Sequence, residues 1–203
     1  ATAGVLALAA GLLMLRDTQW GLIGLVLLIC LLPFGALPFK IGFTPTFLDL
    51  VLVALYFVWV MLIARGKAGS FVGTALGFPI LVFLTLACAS FVAGLAPPYP
   101  IAYVRGPFAD ILVTAPLFFV VVNCVRHREQ LVILVRAIAL AGFGASFVGI
   151  VLYFLPSEWS IRLLSALGRF GYPTGSGVLR YVEDNPDLAL RAISTSTDPN
   201  VLG

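Results

Sequence analysis

The sequence predicts an all-α, polytopic helical membrane protein: about six transmembrane helices and an outer-face segment leading into a seventh. Three observations carry that expectation. Apolar residues make up 61% of the 203 residues and charged ones only 10%, and mean hydropathy is +1.10, outside the range of soluble domains. The apolar residues gather in long runs parted by short polar connectors, and only helices or closed barrels satisfy their own backbone groups in lipid. The period-two alternation of a membrane barrel is missing.

Helices are expected at 3–15, 19–37, 46–64, 76–95, 107–125 and 130–154. The first follows "ATAGVLAL" with no basic region ahead of it. It is short for a span, and reads as one whose start is cut off rather than as a secretory leader. The third begins at Pro45, with Thr46 and Asp49 spaced as a capping box. Pro79 sits in the first turn of the fourth. The fifth opens at Pro107, where Asp110 meets the positive end of the helix dipole. Pro116, inside "LVTAPLFFVVV", should kink it. In the sixth, Ala141, Ala145 and Gly149 are spaced by four, a row that permits close packing inside the chain or against another copy.

Residues 1–155 thus read as the helical bundle and 156–203 as an extracytoplasmic or interfacial segment. In "SEWSIRLLSALGRF", Ile161, Leu164 and Leu167 share one helical face, Arg162 and Arg169 lie off it, and Trp159 stands at one end. That is the composition of a helix lying in the membrane interface over 157–170. "YPTGSG" is a turn-rich break, and "VLRYVED" reads as a brief extended piece.

Basic residues alternate between connectors. Arg16, Arg65 with Lys67, and Arg126 with Arg128 mark one side, while the other carries Lys40 and Arg105. The richer side is cytoplasmic, so residues 34–45, 96–106 and everything after about 155 face outward across a plasma (inner) membrane. The net charge of +3 is spread over helix ends rather than a patch, so membrane lipid, and not nucleic acid, is the partner it suits. Cys30, Cys88 and Cys124 lie in apolar segments with neither metal nor disulfide spacing, and read as buried small hydrophobes.

Ionisable groups near a membrane mark function when structure does not account for them. Capping accounts for Asp49, the helix dipole for Asp110, and snorkelling for Arg136. Arg105, in "YVRGPF", stands just ahead of a Gly-Pro helix start. There its planar fork and the nearby amides suit a phosphate, the alternatives being a pair with Asp110 or a lipid headgroup. His127 is the only histidine and falls on the inner face. No Ser/His/Asp set, phosphate-binding glycine loop or metal-ligand cluster is present, so no cofactor or metal is expected.

"LPFKIGFTPTFLDLVLVALYFVW", then "YVRGPFADILVTAPLFFVVVNCVRHREQLVILVRAIALAG", then "RAISTSTDPNVLG" resembles, in that order, the amino-terminal half of the O-antigen ligase/polymerase-like family. The most specific part is Asp198-Pro199-Asn200 after Arg191 and a run of small and hydroxyl residues. The resemblance implies transfer of a glycan from a polyprenyl-diphosphate-linked donor to a hydroxyl on a glycan, lipid or protein acceptor, without a metal. It makes Arg191 the catalytic cation at the departing diphosphate. Arg105, Asp198 and Asn200 would be substrate-binding, and an outer-face histidine beyond this segment the base. Asp198 to Asn200 also form a strong helix start, the entry to the seventh span. The alternative from another class is a truncated, noncatalytic scaffold or accessory subunit of a membrane complex. A transporter is disfavoured by the scarcity of mid-membrane polar residues.

The orientation has a direct check. Single cysteines placed at His127 and Tyr172 on a cysteine-free background should label from opposite sides, His127 from the cytoplasm. Labelling of both from one side would contradict the expected span count.

Overall fold

The computed structural model describes residues 18–36, 46–66, 69–95, 101–185 and 187–196, with backbone alone at 101–103 and 184. The expected helix at 3–15, and the expectations for Arg16, Lys40, Pro45, Lys67, Asp198, Pro199 and Asn200, lie outside these residues. Among them the chain is helical: α1 (Thr18–Leu31), α2 (Phe47–Ala64), α3 (Gly77–Ala93), α4 (Ile101–Thr114), α5 (Leu117–Cys124), α6 (Arg128–Phe154) and α7 (Ser157–Ser165). Three short 3₁₀ turns follow, Ala166–Phe170, Gly175–Val178 and Val182–Asp184. The only extended pairings among the described residues are two isolated antiparallel bridges, Ala36 with Thr46 and Tyr181 with Leu190.

Among the described residues three helices are long and apolar enough to cross a membrane: Phe47–Ala64, Val104–Cys124 and Arg128–Phe154. Only 17%, 11% and 11% of their apolar windows are buried within the chain. Phe57, Phe143 and Phe154 are among the large apolar side chains left on the outside. Surface of that kind needs an apolar solvent. At 14 and 17 residues, α1 and α3 are shorter, about 21 and 26 Å at 1.5 Å per residue, against roughly 30 Å of hydrocarbon.

Helix ends follow local chemistry. At α2 the Asp49 N–H donates to Thr46 Oγ1 (3.0 Å) and the Thr46 N–H donates to Asp49 Oδ2 (2.9 Å), a reciprocal cap that satisfies two otherwise orphaned donors. The second predicted helix stops at Leu31 rather than 37, because Pro33 cannot donate and disfavours helical backbone before it.

The fifth predicted helix needs one correction, at its start. It begins at Ile101, so Pro107 lies inside it. Gly106 lacks the Cβ against which a proline ring clashes, which lets the helix continue. The interruption expected at Pro116 is there: α4 ends at Thr114, and Pro116 caps α5 with φ −65° and ψ −15°, a break within the span Val104–Cys124. The Tyr56 hydroxyl donates to the Val113 carbonyl, an acceptor at the broken end. The three cysteines are free and half-buried rather than buried.

The described chain forms two compact units, one of Leu52–Arg128 and one of Gln19–Val51 with Glu129–Gly203. In the first, α3 packs on α4 and α4 on α5, and the Phe91 and Phe108 rings stack at 3.9 Å. A segment ahead of α3 is strapped to α5. Buried Asn123 accepts the Val72 N–H on Oδ1 (2.8 Å) and donates through Nδ2 to the Phe119 carbonyl (2.9 Å). Arg126 donates to the Asn123 and Ser70 carbonyls.

In the second unit, Ala141, Ala145, Gly149 and Leu152 form the buried face of α6, so the small-residue row serves packing inside the chain. Leu152 continues into a core with Leu164, Val178 and Ile193, against which Val148, Ile161 and Leu167 pack. The expected apolar face of 157–170 is therefore a protein-facing one, while Trp159 stays exposed with the Arg162 guanidinium 5.6 Å from its ring centre.

Asn123→Leu keeps the volume but leaves the Val72 N–H without its acceptor. It should cost about 1–3 kcal/mol and open the 69–72 strap to protease ahead of the helices. Unchanged cleavage at the strap would show that Asn123 does not hold it.

Candidate functional site

The site is assembled from the corner where α1 ends. Pro33 terminates the helix, Gly35 turns the chain, and the strand-like contact of Ala36 with Thr46 leads into α2. Two segments from the far end of the sequence dock there. Through the first, the Ala36 N–H donates to the Phe170 carbonyl (2.7 Å) and Phe47 meets the Phe170 ring edge-on at 5.8 Å. Through the second, the Thr195 hydroxyl donates to the Leu31 carbonyl, one of the acceptors that a helix C-terminus leaves unmatched.

Residues 191–196 are tied down further by packing. Ile193 is 3% exposed and belongs to the core of the second unit, and Ser194 and Ser196 are buried. The hydroxyl run of "RAISTS" is thus an inward-facing, anchored stretch.

Arg191 sits at the base of a small hairpin. Its N–H donates to the Arg180 carbonyl (2.8 Å), and the Val182 N–H donates to the Ala189 carbonyl (3.0 Å), on either side of the Tyr181–Leu190 bridge. This register sets Arg180 directly opposite Arg191. Residues opposed in an antiparallel pair project to the same face, with Cα atoms about 5.5 Å apart when they are hydrogen-bonded. The two side chains therefore leave the backbone on one face, Arg191 half-buried and Arg180 exposed, and both make further polar contacts. The hairpin loop closes through Glu183 in left-handed backbone (φ 56°) and an Asn185 side chain that accepts the Asp187 N–H (3.0 Å).

Two hydroxyls beneath this region, Tyr172 Oη and Ser194 Oγ, are buried without a hydrogen-bond partner among the described residues. Burial pushes the Tyr172 phenol above the ordinary tyrosine range. The Phe34 backbone beside it, outside hydrogen-bonding geometry, offsets only part of that. The phenol is therefore a neutral donor at physiological pH. Beside the segment runs an apolar groove of about 300 Å³, lined by Phe147, Val151 and Leu152 of α6 and by Leu163 and Leu167, with Thr195 at its edge.

The other residues singled out in the sequence fall elsewhere. Arg105 is exposed on α4 in the first unit. It lies in the second turn of that helix rather than ahead of its start, so the terminal amides expected around it are not there. Asp110, expected in a first turn, lies in the later part of the same helix. Five positions apart, the two point about 140° from each other and do not pair. Arg136 and His127 are exposed, on α6 and just before it, and Asp49 is spent on its cap. Asp198 and Asn200 lie outside the described residues. Among the described residues no group of three His, Cys, Asp or Glu side chains comes together.

Sequence reasoning missed Arg180. The signal available was the "NPD" turn at 185–187, which folds "LRY" back toward "LALR" and so opposes the two arginines. Comparison of the chain with protein-family models, curated proteins and solved structures finds no match.

Proposed function

We propose that this chain is part of an O-antigen ligase/polymerase-like glycan transferase of the plasma (inner) membrane, with six spans and a seventh opening at Asp198–Asn200. In this orientation Arg65, Arg126 and Arg128 are cytoplasmic, and the segment after about 155 lies at the outer leaflet. The observation that carries the reading is the Arg180–Arg191 rung held beside a buried hydroxyl run.

The reaction follows from that placement. The acceptor hydroxyl oxygen bonds to the anomeric carbon of the donor glycan. The bond from that carbon to the diphosphate breaks, and the electron pair leaves with the diphosphate. Charge grows on the departing group, and the planar forks of Arg191 and Arg180 stabilise it there. The proton of the acceptor goes to a base outside this segment, since His127 belongs to the opposite face. The apolar groove along α6 and α7 suits the hydrocarbon of a lipid-borne donor. Arg105, an exposed cation on its helix, supplies a secondary contact to donor or headgroup.

In the full-length protein, Arg191→Ala should lower transfer by on the order of 100- to 1000-fold while expression and insertion persist. Arg191→Lys should recover little, because charge returns without the fork. Arg180→Ala should cost roughly tenfold or more, and Arg105→Ala less. The assay is glycan transfer in membranes supplied with lipid-linked donor. Near-normal rates in Arg191→Ala and Arg180→Ala together would favour the noncatalytic subunit instead.

A further inference from the structure

The first unit carries a cavity of about 460 Å³ that the transfer reading leaves unused. It is framed by Tyr56 and Trp59 of α2, Phe71 and Thr74 of the strap, Phe78 of α3 and Phe119 of α5. That volume falls in the range of ligand sites, roughly 300–1,000 Å³, and its walls are almost wholly apolar and aromatic. The strap that forms its rim is fastened by Asn123 and Arg126. Close approach is built in there: a Cβ at Gly69 would lie 2.6 Å from the Arg126 guanidinium, and Gly69 has φ +67°.

Charge singles out the same end. Arg65 follows α2, and Arg126 and Arg128 follow α5, all of them exposed. Asp110 lies about 20 Å back along the span from Cys124, and Glu129, next to Arg128, is the one carboxylate near this end in sequence. An apolar cavity thus opens next to a rim where three arginines are set against one carboxylate. A neutral apolar ligand would gain nothing from that rim, and a free anion would gain nothing from the aromatic walls.

We infer that this cavity binds one anionic glycerophospholipid, an acyl chain lying among Tyr56, Trp59, Phe71 and Phe119 and the phosphate headgroup at Arg65 and Arg128. Basic pockets between spanning helices on the cytoplasmic side take anionic headgroups in this way. The lipid fills space between α2, α3 and α5 and bears on the strap. The inference rests on membrane residence and does not depend on glycan transfer.

Native mass spectrometry of the full chain in a mild nonionic detergent tests it, with phosphatidylglycerol and phosphatidylcholine of identical acyl chains as probes. One phosphatidylglycerol should be retained under activation that strips phosphatidylcholine. Arg65→Gln with Arg128→Gln, both at exposed positions, should lower retention about tenfold. Gly73→Trp should lower it as far while leaving every charge in place, since Gly73 lines the cavity and the space at its Cβ is open. Arg136→Gln, on α6 in the other unit, should change nothing. Equal retention of the two lipids would overturn the inference. So would wild-type retention in Gly73→Trp, which would mean that charge alone gathers lipid around the chain.

Discussion

Everything described in the second unit hangs on the corner that closes α1. A helix that ends at a proline leaves carbonyls without partners, and here they are taken up by one local turn and by groups farther along the sequence. The Leu32 carbonyl accepts from Gly35 (3.1 Å), the Gly35 carbonyl from Phe47 (2.8 Å), and the Leu31 carbonyl from the Thr195 hydroxyl. The corner leaves little room for a side chain where it is tightest. A Cβ at Gly35 would fall 2.6 Å from the Phe47 ring, and one at Gly171, already at φ +84°, would fall 3.0 Å from the Ala36 Cβ. Two glycines at opposite ends of the sequence thus let three backbone segments meet at one point.

That meeting gives the arginine rung its fixed base. Residues 191–196 are held from one side by Thr195 on Leu31 and from the other by Ile193 in the core with Leu152, Leu164 and Val178. Ser160, buried, donates to the Leu152 carbonyl (2.9 Å) and fastens α7 onto the end of α6. On the proposed reading, donors set before the reaction need no reorganisation as charge develops. The hairpin bearing Arg180 and Arg191 grows from an anchored strand rather than from a free loop.

Much of the architecture was legible because it rests on local rules. The membrane class follows from composition. The start of α2 follows from the Thr46–Asp49 spacing, the interruption near Pro116 from the missing donor, and the buried face of α6 from Ala141, Ala145 and Gly149. The misreadings share a physical cause. Pro107 resembles a helix start until Gly106 is considered, whose missing Cβ removes the usual penalty before proline. For Ile161, Leu164 and Leu167 the spacing left lipid and protein both open, because it does not distinguish one from the other, and Val178 and Ile193 come to cover them. Arg180 was invisible to a linear reading because its partnership is made across a bridge, by a loop that depends on left-handed Glu183 and the Asn185 turn.

The corner itself is open to direct measurement by a cross-link. On a background without Cys30, Cys88 and Cys124, cysteines replacing Ala36 and Gly171 would have Cβ atoms close to the separation that a disulfide spans, about 3.5–4.5 Å after slight adjustment. Mild oxidation should join them rapidly and nearly completely in membranes, and an Ala36 cysteine paired with one at exposed Arg180 should join far less. Failure of the Ala36–Gly171 pair to close, with both cysteines shown to react singly with thiol reagents, would contradict the docking of the 170–196 region onto the end of α1.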